Sequence, residues 1–333
     1  MEQKKIIEIN LPVEIYFDLG LKSLSFEKCI VFNSINNILY LIHSFNYKIY
    51  LYDLNKKTIL FKLTLDGVVK SLKHQFDEEK KRDILMIVYW LKREFYVKLY
   101  NIRNFECILS LKFEAIDTIV ACFLRDKNEY YVAVGDSKTF YSNWNEDAEY
   151  DDSDEIQVYD FKKNRIKEIK GSAHHTYDIS TYYEYNRIYI ITENDDCLRS
   201  FDYNDNKLYR EYENAKFFYG RIIQGKDLIT RLIAKSDSSL IEIFNFHTGS
   251  LLIKIDARLL NLAWLWNNGS ILILENGHYK MIDLLNNKIS DAILNYTYLD
   301  TGNMKHIKLN DTDSLLISTK DDKINIMEIK IIK

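Results

Sequence analysis

Cysteine, proline and glycine are scarce in this chain of 333 residues, which contains 4, 1 and 10 of them respectively. Four scattered cysteines cannot build the disulfide framework of a secreted scaffold, and no Cys-x-x-Cys pair is present for zinc or redox chemistry. The chain also has no proline-rich or glycine-rich stretch that could serve as a linker. We therefore expect one folded domain that spans residues 1–333, with no cofactor and no metal.

Long hydrophobic runs and a large net charge are also missing. The longest uninterrupted apolar run, Ile84 to Leu91, has eight residues, against the ~20 that span a bilayer. Glu8 interrupts the apolar N-terminal segment, which argues against a signal peptide. The net charge is −4, which argues against a general attraction to nucleic acid. We expect a protein of the cytoplasm or nucleus, with no nucleic-acid partner and no transmembrane segment.

What the sequence does have is a repeat. Each copy is a triplet in which Asp, Asn or Glu stands between two bulky apolar residues, at the end of an alternating apolar segment. The central residues are Asp53, Asn101, Asp160, Asp202, Asn245, Asp283 and Glu328. They lie 38 to 59 positions apart, with a mean of about 46, which suits one four-stranded propeller blade of ~40–50 residues.

Each period divides into four short strands, which we name A to D in chain order, and the triplet ends strand C. Polar turns separate the strands, and the 25 tyrosines and 17 phenylalanines of the chain favour β-structure. No long segment carries a helical apolar stripe, so almost no helix is expected. The predicted B strands are Ile38–Ile42, Ile84–Tyr89, Tyr130–Val134, Arg187–Ile191, Leu228–Ile233, Ile271–Leu274 and Leu315–Ser318.

The last period lacks strand D, because only five residues follow Glu328. The strand-like segment Lys4–Asn10 precedes the first complete period, and we expect it to pair beside Lys323–Ile329. Such pairing would remove an exposed sheet edge and close a ring. The sequence therefore predicts an all-β fold: a single seven-bladed β-propeller of four-stranded antiparallel blades, closed by the N-terminal strand joining the last blade.

The triplets resemble those of the WD-repeat β-propellers, in which strand C commonly ends in Trp-Asp. Here Tyr, Phe, Ile or Met stands where that family has Trp, and no period has Gly-His before strand A. The resemblance implies a rigid platform for protein partners. It also leads us to expect Tyr159, Phe201 and Phe244 buried between blades, with Asp160, Asp202 and Asn245 near the C–D turns.

An acidic segment makes the third period the longest. Residues 146–155 carry seven carboxylates in ten positions, within an insertion at about 139–154 between strands B and C. One interpretation of this segment is a contact for a basic partner. Two others remain open: a calcium site, although the segment lacks the glycine of an EF-hand loop, and a solvated loop. The predicted contact residues for a basic partner are Trp144, Glu146, Asp147, Glu149, Asp151, Asp152 and Asp154.

Three other groups have structural explanations that compete with functional ones. The adjacent pair His174 and His175 lacks a third metal ligand at a suitable spacing. Trp264 and Trp266 share one face of a strand, where they can pack between blades or form an aromatic patch near a channel mouth. Five cations follow the third triplet and either protect a sheet edge or contact a nucleic acid or a lipid headgroup: Lys162, Lys163, Arg165, Lys167 and Lys170.

Two functions of different classes are compatible with this pattern. The first is a noncatalytic scaffold or adaptor that binds protein partners on the loop faces of the propeller. The alternative is an enzyme or small-molecule binder that uses the central channel, which would need His, Glu or Arg side chains converging from several A strands. The sequence shows no such recurrence, so we expect the scaffold.

Overall fold

The structure is a computed structural model, and it is described here for part of the chain. The described residues are 2–10, 29–33, 39–45, 47–53, 56, 58–114, 118–137, 155–170, 178–184, 186–193, 198–212, 218–223, 228–234, 239–257, 260–266, 270–275, 278–283, 288–291, 304–308, 313–320 and 323–330. Within these ranges every regular element is a β-strand. None of them contains a helix long and apolar enough to cross a membrane.

The strands form four-stranded sheets in which chain neighbours pair antiparallel, as the sequence predicted. The strands of the first four sheets are β2 (Cys29–Asn33), β3 (Leu39–Phe45), β4 (Lys48–Asp53), β5 (Thr58–Thr64); β6 (Val68–Asp77), β7 (Arg82–Leu91), β8 (Glu94–Asn101), β9 (Cys107–Glu114); β10 (Thr118–Asp126), β11 (Glu129–Ser137), β12 (Glu155–Tyr159), β13 (Arg165–Lys170); and β14 (Asp178–Glu184), β15 (Arg187–Glu193), β16 (Leu198–Asp202), β17 (Lys207–Tyr212).

The remaining strands follow the same order, with one exception at the end of the chain. They are β18 (Phe218–Ile223), β19 (Leu228–Ala234), β20 (Ser239–Asn245), β21 (Leu251–Ala257); β22 (Leu260–Trp266), β23 (Ser270–Glu275), β24 (His278–Asp283), β25 (Lys288–Asp291); and β26 (Met304–Lys308), β27 (Asp313–Lys320), β28 (Lys323–Lys330). The last sheet takes its fourth strand, β1 (Glu2–Asn10), from the N-terminus.

The pairing of β1 confirms the expected partner of the N-terminal segment. Strand β1 lies antiparallel to β28, with Glu2 opposite Lys330 and Asn10 opposite Lys323. A bulge interrupts the register between Gln3 and Lys5. The last sheet therefore has four strands although its own period supplies only three, and β1 covers the edge that β28 would otherwise expose.

Two compact units make up the chain. One comprises Met1–Leu65, Ala234–Ile243 and Leu251–Lys333, and the other comprises Asp66–Ile233 and Phe244–Ser250. We call the second the central unit, because most of it comes from the middle of the sequence. The single domain over residues 1–333 stays a prediction.

The core of the central unit lies between consecutive sheets. Side chains of the β6–β9 sheet, such as Ile84 and Leu99, pack with Ile119 and Val132 of the β10–β13 sheet. A second cluster joins the β10–β13 and β14–β17 sheets. Inner strands are buried on both faces, as β7 is from Asp83 to Tyr89, whereas the outer strand β13 has a single buried residue, Ile169. This gradient explains the apolar B strands, since a strand buried on both faces reads as a continuous apolar run.

A β-bulge recurs where strand C meets strand D. In four sheets the register shifts just before the central residue of the triplet, so that one residue of the outer strand has no partner. The extra residue in the outer strand is Leu60, Ile108, Ile166 or Tyr209. A bulge twists an edge strand and hinders further pairing along it.

The burial expected for the triplets was partly wrong. Phe201 is fully buried, as expected, but Tyr159 and Phe244 are only half-buried. In the fourth and fifth triplets the residue that follows the central position is an anchor: Tyr203 and Phe246 are buried in the clusters formed by the preceding sheets. The reason is geometric, because strand C ends at the central residue and the next side chain turns back over the neighbouring sheet.

Candidate functional site

The predicted partner-contact residues all lie outside the described residues: Trp144, Glu146, Asp147, Glu149, Asp151, Asp152 and Asp154. The flanking strands are described, and β11 pairs with β12 through Asp136 opposite Glu155. The acidic segment therefore connects two neighbouring strands of one sheet, as the sequence predicted. Its contact with a basic partner stays a prediction. His174 and His175 also lie outside the described residues.

Antiparallel order places the A–B and C–D turns of a sheet at the same end of its strands, and we call this end the turn edge. The B–C connections, including the acidic segment, lie at the opposite edge. Backbone hydrogen bonds tie the two kinds of turn together: Ile102 N–H donates to the Asp83 carbonyl at 3.0 Å, and Tyr203 N–H donates to the Ile188 carbonyl at 2.8 Å. The turn edge is thus a connected surface within these sheets.

The central residues of the triplets close the C–D turns. Asp160 Oδ1 accepts hydrogen bonds from the backbone N–H groups of Lys162 and Asn164, both at 2.8 Å. The Asn164 side chain donates to Oδ2, also at 2.8 Å. Burial alone would raise the pKa of Asp160, but these hydrogen bonds together lower it below its ordinary value. The side chain therefore holds the turn best when it is ionised.

The same arrangement recurs in the other triplets whose side chains are described. In each, a side-chain oxygen accepts a backbone N–H from two to three residues ahead, as in an Asx turn. The pairs are Asp53 with Lys56 at 2.9 Å, Asn101 with Arg103 at 3.1 Å, Asp202 with Asn204 at 2.9 Å, and Asn245 with Thr248 at 2.8 Å. The expectation that Asp160, Asp202 and Asn245 lie at C–D turns is confirmed.

Cations of one sheet hold the C–D turn of the next sheet in the central unit. Lys167 donates to the Tyr203 carbonyl, and its ammonium lies 4.1 Å from the centre of the Tyr203 ring. Burial lowers the pKa of Lys167, while nearby aspartates oppose that effect. Lys167, one of the five cations that follow the third triplet, therefore makes an inter-sheet contact. Arg165, another of the five, pairs with Glu168 at 3.2 Å.

A second clamp lies between β17 and the turn that follows β20. Arg210 donates to the carbonyls of His247 and Thr248. His247 contacts the Tyr209 hydroxyl through Nδ1 at 2.9 Å and the Glu184 carboxylate through Nε2 at 3.0 Å. Phe246 is fully buried, because it packs among the rings of four tyrosines: Tyr182, Tyr189, Tyr209 and Tyr212. These contacts hold the turn rigidly against the preceding sheet.

The turn edge of the central unit also contains a cleft of about 420 Å³. It lies where the A–B turns of the β6–β9 and β10–β13 sheets approach strand β14. Its lining is polar and aromatic: Gln75, Glu78, Arg125, Lys127, Asn128, Tyr130 and Tyr183. We call this feature the turn-edge cleft. No sequence motif pointed to it, because its residues come from three separate periods.

Arg125 is the best-held cation of the turn-edge cleft. Its guanidinium contacts Glu78 Oε2 at 3.0 Å and Asn128 Oδ1 at 3.3 Å, and it lies 5.6 Å from the centre of the Tyr130 ring. The Arg125 backbone N–H donates to the Tyr183 hydroxyl at 2.8 Å. Burial is the main cause that raises the pKa of Tyr183. The hydroxyl therefore stays neutral at physiological pH.

Lys127 and Asn128 form the turn beside this cation. Both residues have positive φ, 47° and 70°, as the two central residues of a type I′ hairpin turn require. Asn tolerates that conformation, whereas Lys adopts it at a cost of roughly 1 kcal/mol. Among the described residues, Lys127 has no ion-pair partner. The turn thus presents an exposed ammonium on the cleft rim.

The lining of the cleft offers groups that can bind a ligand. The described part of the chain contains no cluster of three or more His, Cys, Asp or Glu that could hold a metal ion. A guanidinium, an ammonium and two tyrosine rings can recognise carboxylates and planar groups.

The tryptophans Trp264 and Trp266 lie on β22, opposite Leu272 and Ser270 of β23.

Comparison with known proteins finds no matching family model and no matching curated protein. Solved structures do match. A chain from the crystal structure of the Mitotic Checkpoint Complex has a TM-score of 0.62 and 10% identity, covering 99% of this chain and 92% of that one. The Dos1 propeller has a TM-score of 0.59 and 12% identity, covering 90% of this chain and 80% of that one.

The chain resembles the WD-repeat β-propellers in fold. The two neighbours extend over nearly the whole chain, as the repeat in the sequence also does. At such low identity the likeness shows the fold alone. The C–D turns of this chain need no tryptophan: each is closed by an Asp or Asn side chain, and in the fourth and fifth triplets the residue that follows makes the contact with the preceding sheet.

Proposed function

We propose that this chain is a noncatalytic protein-interaction scaffold of WD-repeat type, located in the cytoplasm or nucleus. In this proposal the sheets are the blades of one seven-bladed ring, and the pairing of β1 with β28 closes it. Support for the ring comes from that pairing and from the coverage of the two structural neighbours. The closed ring would leave its loop faces as the surfaces available to partners.

One observation carries the proposal: the C–D turns are held rigidly before any partner binds, whereas the described residues show no cluster of reactive side chains. The C–D turns are closed by their own side chains and clamped by cations of the preceding sheet. A surface ordered before binding loses little conformational entropy when a partner docks. A rigid core also lets loops vary without disturbing the fold.

The two edges of the sheets offer two contact regions. The acidic segment at the edge opposite the turn edge is the proposed contact for a basic partner, through Trp144, Glu146, Asp147, Glu149, Asp151, Asp152 and Asp154. Its charges would steer a basic protein to the surface. One structural neighbour comes from the crystal structure of the Mitotic Checkpoint Complex, which supports a role for this chain inside an assembly.

The experiment is purification of the tagged chain from cytoplasmic and nuclear fractions at two salt concentrations, followed by mass spectrometry. Each recovered protein is then purified and mixed with the chain, and the complex is measured by size-exclusion chromatography with light scattering. A stoichiometric complex formed without turnover of any small molecule supports the scaffold. Recovery of no partner that binds directly, together with a metabolite bound in the chain, would favour the channel enzyme or binder.

A further inference from the structure

We propose that the turn-edge cleft binds an acidic peptide segment of a protein partner, with Arg125 and Lys127 receiving its carboxylates and Tyr183 contacting the peptide between them. The inference deepens the proposed function and rests on it, because it names a binding place and the chemistry of the partner. It concerns the edge opposite the acidic segment, so the two contacts are independent.

The shape of the turn-edge cleft suits a peptide. About 420 Å³ is room for a few side chains, and a cleft at the rim of several turns is open to an extended chain. Tyr183 is 41% exposed although its hydroxyl is already engaged by the Arg125 N–H. Its ring is therefore a fixed aromatic surface, which is the kind of anchor that interfaces use.

The charges of the turn-edge cleft favour an anionic ligand. Lys127 has no counter-ion among the described residues, and the Glu78 side chain that faces Arg125 is 59% exposed. An exposed ion pair contributes only about 0–1 kcal/mol. A ligand carboxylate can therefore replace Glu78 at Arg125 with little loss, while Lys127 gains a partner that it lacks among the described residues.

The geometry of Arg125 is already suited to this exchange. Asn128 holds one side of the guanidinium, and the Tyr130 ring lies beneath it. Tyr130 is itself fixed, since its hydroxyl donates to the Phe76 carbonyl at 3.0 Å. The cation would keep its position when Glu78 moves away, and a guanidinium can then bind a carboxylate through two parallel hydrogen bonds.

The probe is a phage-displayed library of random heptapeptides, selected on the full chain at low salt. We expect the selected peptides to be enriched in Asp and Glu around an aromatic residue. A fluorescein-labelled copy of the most enriched peptide is then titrated against the variants, with anisotropy as the readout. Arg125→Gln should weaken binding about tenfold, and Lys127→Gln by a smaller factor that vanishes at high salt.

Lys92→Gln provides a matched control. Lys92 also occupies a positive-φ position of a two-residue hairpin turn, with φ 49°, but its turn joins β7 and β8 at the opposite edge. It should leave the affinity unchanged. Because Arg125→Gln removes contacts within the protein, its thermal unfolding is compared with that of the wild type, whereas Lys127→Gln removes no ion pair with any described residue.

The outcomes separate this inference from the proposed function. Acidic peptides that lose affinity with Arg125→Gln and Lys127→Gln, but not with Lys92→Gln, support the cleft. Selected peptides without acidic enrichment, or equal affinity for all four proteins, would overturn it. If protein partners are still captured equally by the wild type and the two cleft variants, the scaffold stands and the cleft is not its contact.

Discussion

At the residue scale, two side chains of the recurring triplet have different structural roles. The central Asp or Asn closes a turn, and the residue after it anchors that turn on the preceding sheet. In the fifth triplet these are Asn245 and Phe246, while Phe244 before them is only half-buried. The three positions therefore differ in what they contribute to the free energy of unfolding.

Phe246→Ala should lower the free energy of unfolding by about 3–5 kcal/mol, because it leaves a cavity among four tyrosine rings. Phe244→Ala is the matched control, since it removes the same ring from a half-buried place in the same triplet. We expect its cost to be clearly smaller. Urea unfolding followed by tyrosine fluorescence measures both. Equal costs would mean that the residue after the central position is not the main anchor.

The stability that Asp160 contributes should depend on pH. Its folded-state pKa lies below the ordinary value of about 3.9, so its contribution is complete above that value and is lost as the pH falls through the folded pKa. Asp160→Asn keeps the side-chain acceptor but cannot titrate. The wild type should therefore lose more stability than the variant when the pH is lowered below about 4. Parallel acid-unfolding curves would contradict this.

At the element scale, the strands were the most predictable part of the molecule. Each predicted B strand overlaps an observed one, as Arg187–Ile191 does with β15 and Leu228–Ile233 does with β19. The reason is that a strand buried on both faces leaves a local apolar signal. The bulge beside four of the triplets left no such signal, since it depends on the register between strands C and D.

Strand β1 should be required for full stability, because it covers the edge of the last sheet. Deleting residues 1–10 should lower the melting temperature by several degrees, as losses of a few kcal/mol do in domains of this size. A synthetic peptide of residues 2–10 should restore part of the loss, whereas a scrambled peptide of the same composition should not. An unchanged melting temperature after the deletion would show that the pairing contributes little.

The aromatic cluster around Phe246 should make the central unit sensitive to alkali. Burial raises the pKa of Tyr189 to about 12 and also raises that of Tyr212. An unfolded tyrosine ionises near 10, so the stabilisation is complete below about pH 10 and is lost as the pH rises through the folded values. Tyr189→Phe cannot ionise and should unfold at higher pH than the wild type. Tyrosinate absorbance during an alkaline titration measures the difference.

At the scale of the whole molecule, the proposed peptide contact depends on residues that no single period contains. The turn-edge cleft collects Glu78, Arg125 and Tyr183 from three different sheets. Each of these residues looks ordinary in its own period, so the sequence could not single them out. The acidic segment is the opposite case: its charge is evident from the sequence, and its attachment to β11 and β12 shows only that it extends one hairpin connection.

That attachment leads to the last prediction. Removing residues 145–154 and joining the hairpin with a short turn should leave folding intact, because loop-closure entropy changes slowly with loop length. If the segment contacts a basic partner, the deletion should weaken binding and reduce its salt dependence, since exposed charges act mainly through steering and specificity. A second variant keeps the length but replaces the acids of residues 146–154 by their amides.

The two variants separate charge from bulk. A partner that recognises charge should bind both weakly at low salt and should bind all three proteins alike at high salt. A partner that recognises the bulk of the segment rather than its charge should be affected by the deletion alone. Equal affinity of every recovered partner for the intact protein and both variants, at low and high salt, would mean that the segment is solvated surface. The cleft would then be the remaining candidate contact, because it lies at the other edge of the same sheet and keeps all its residues in both variants.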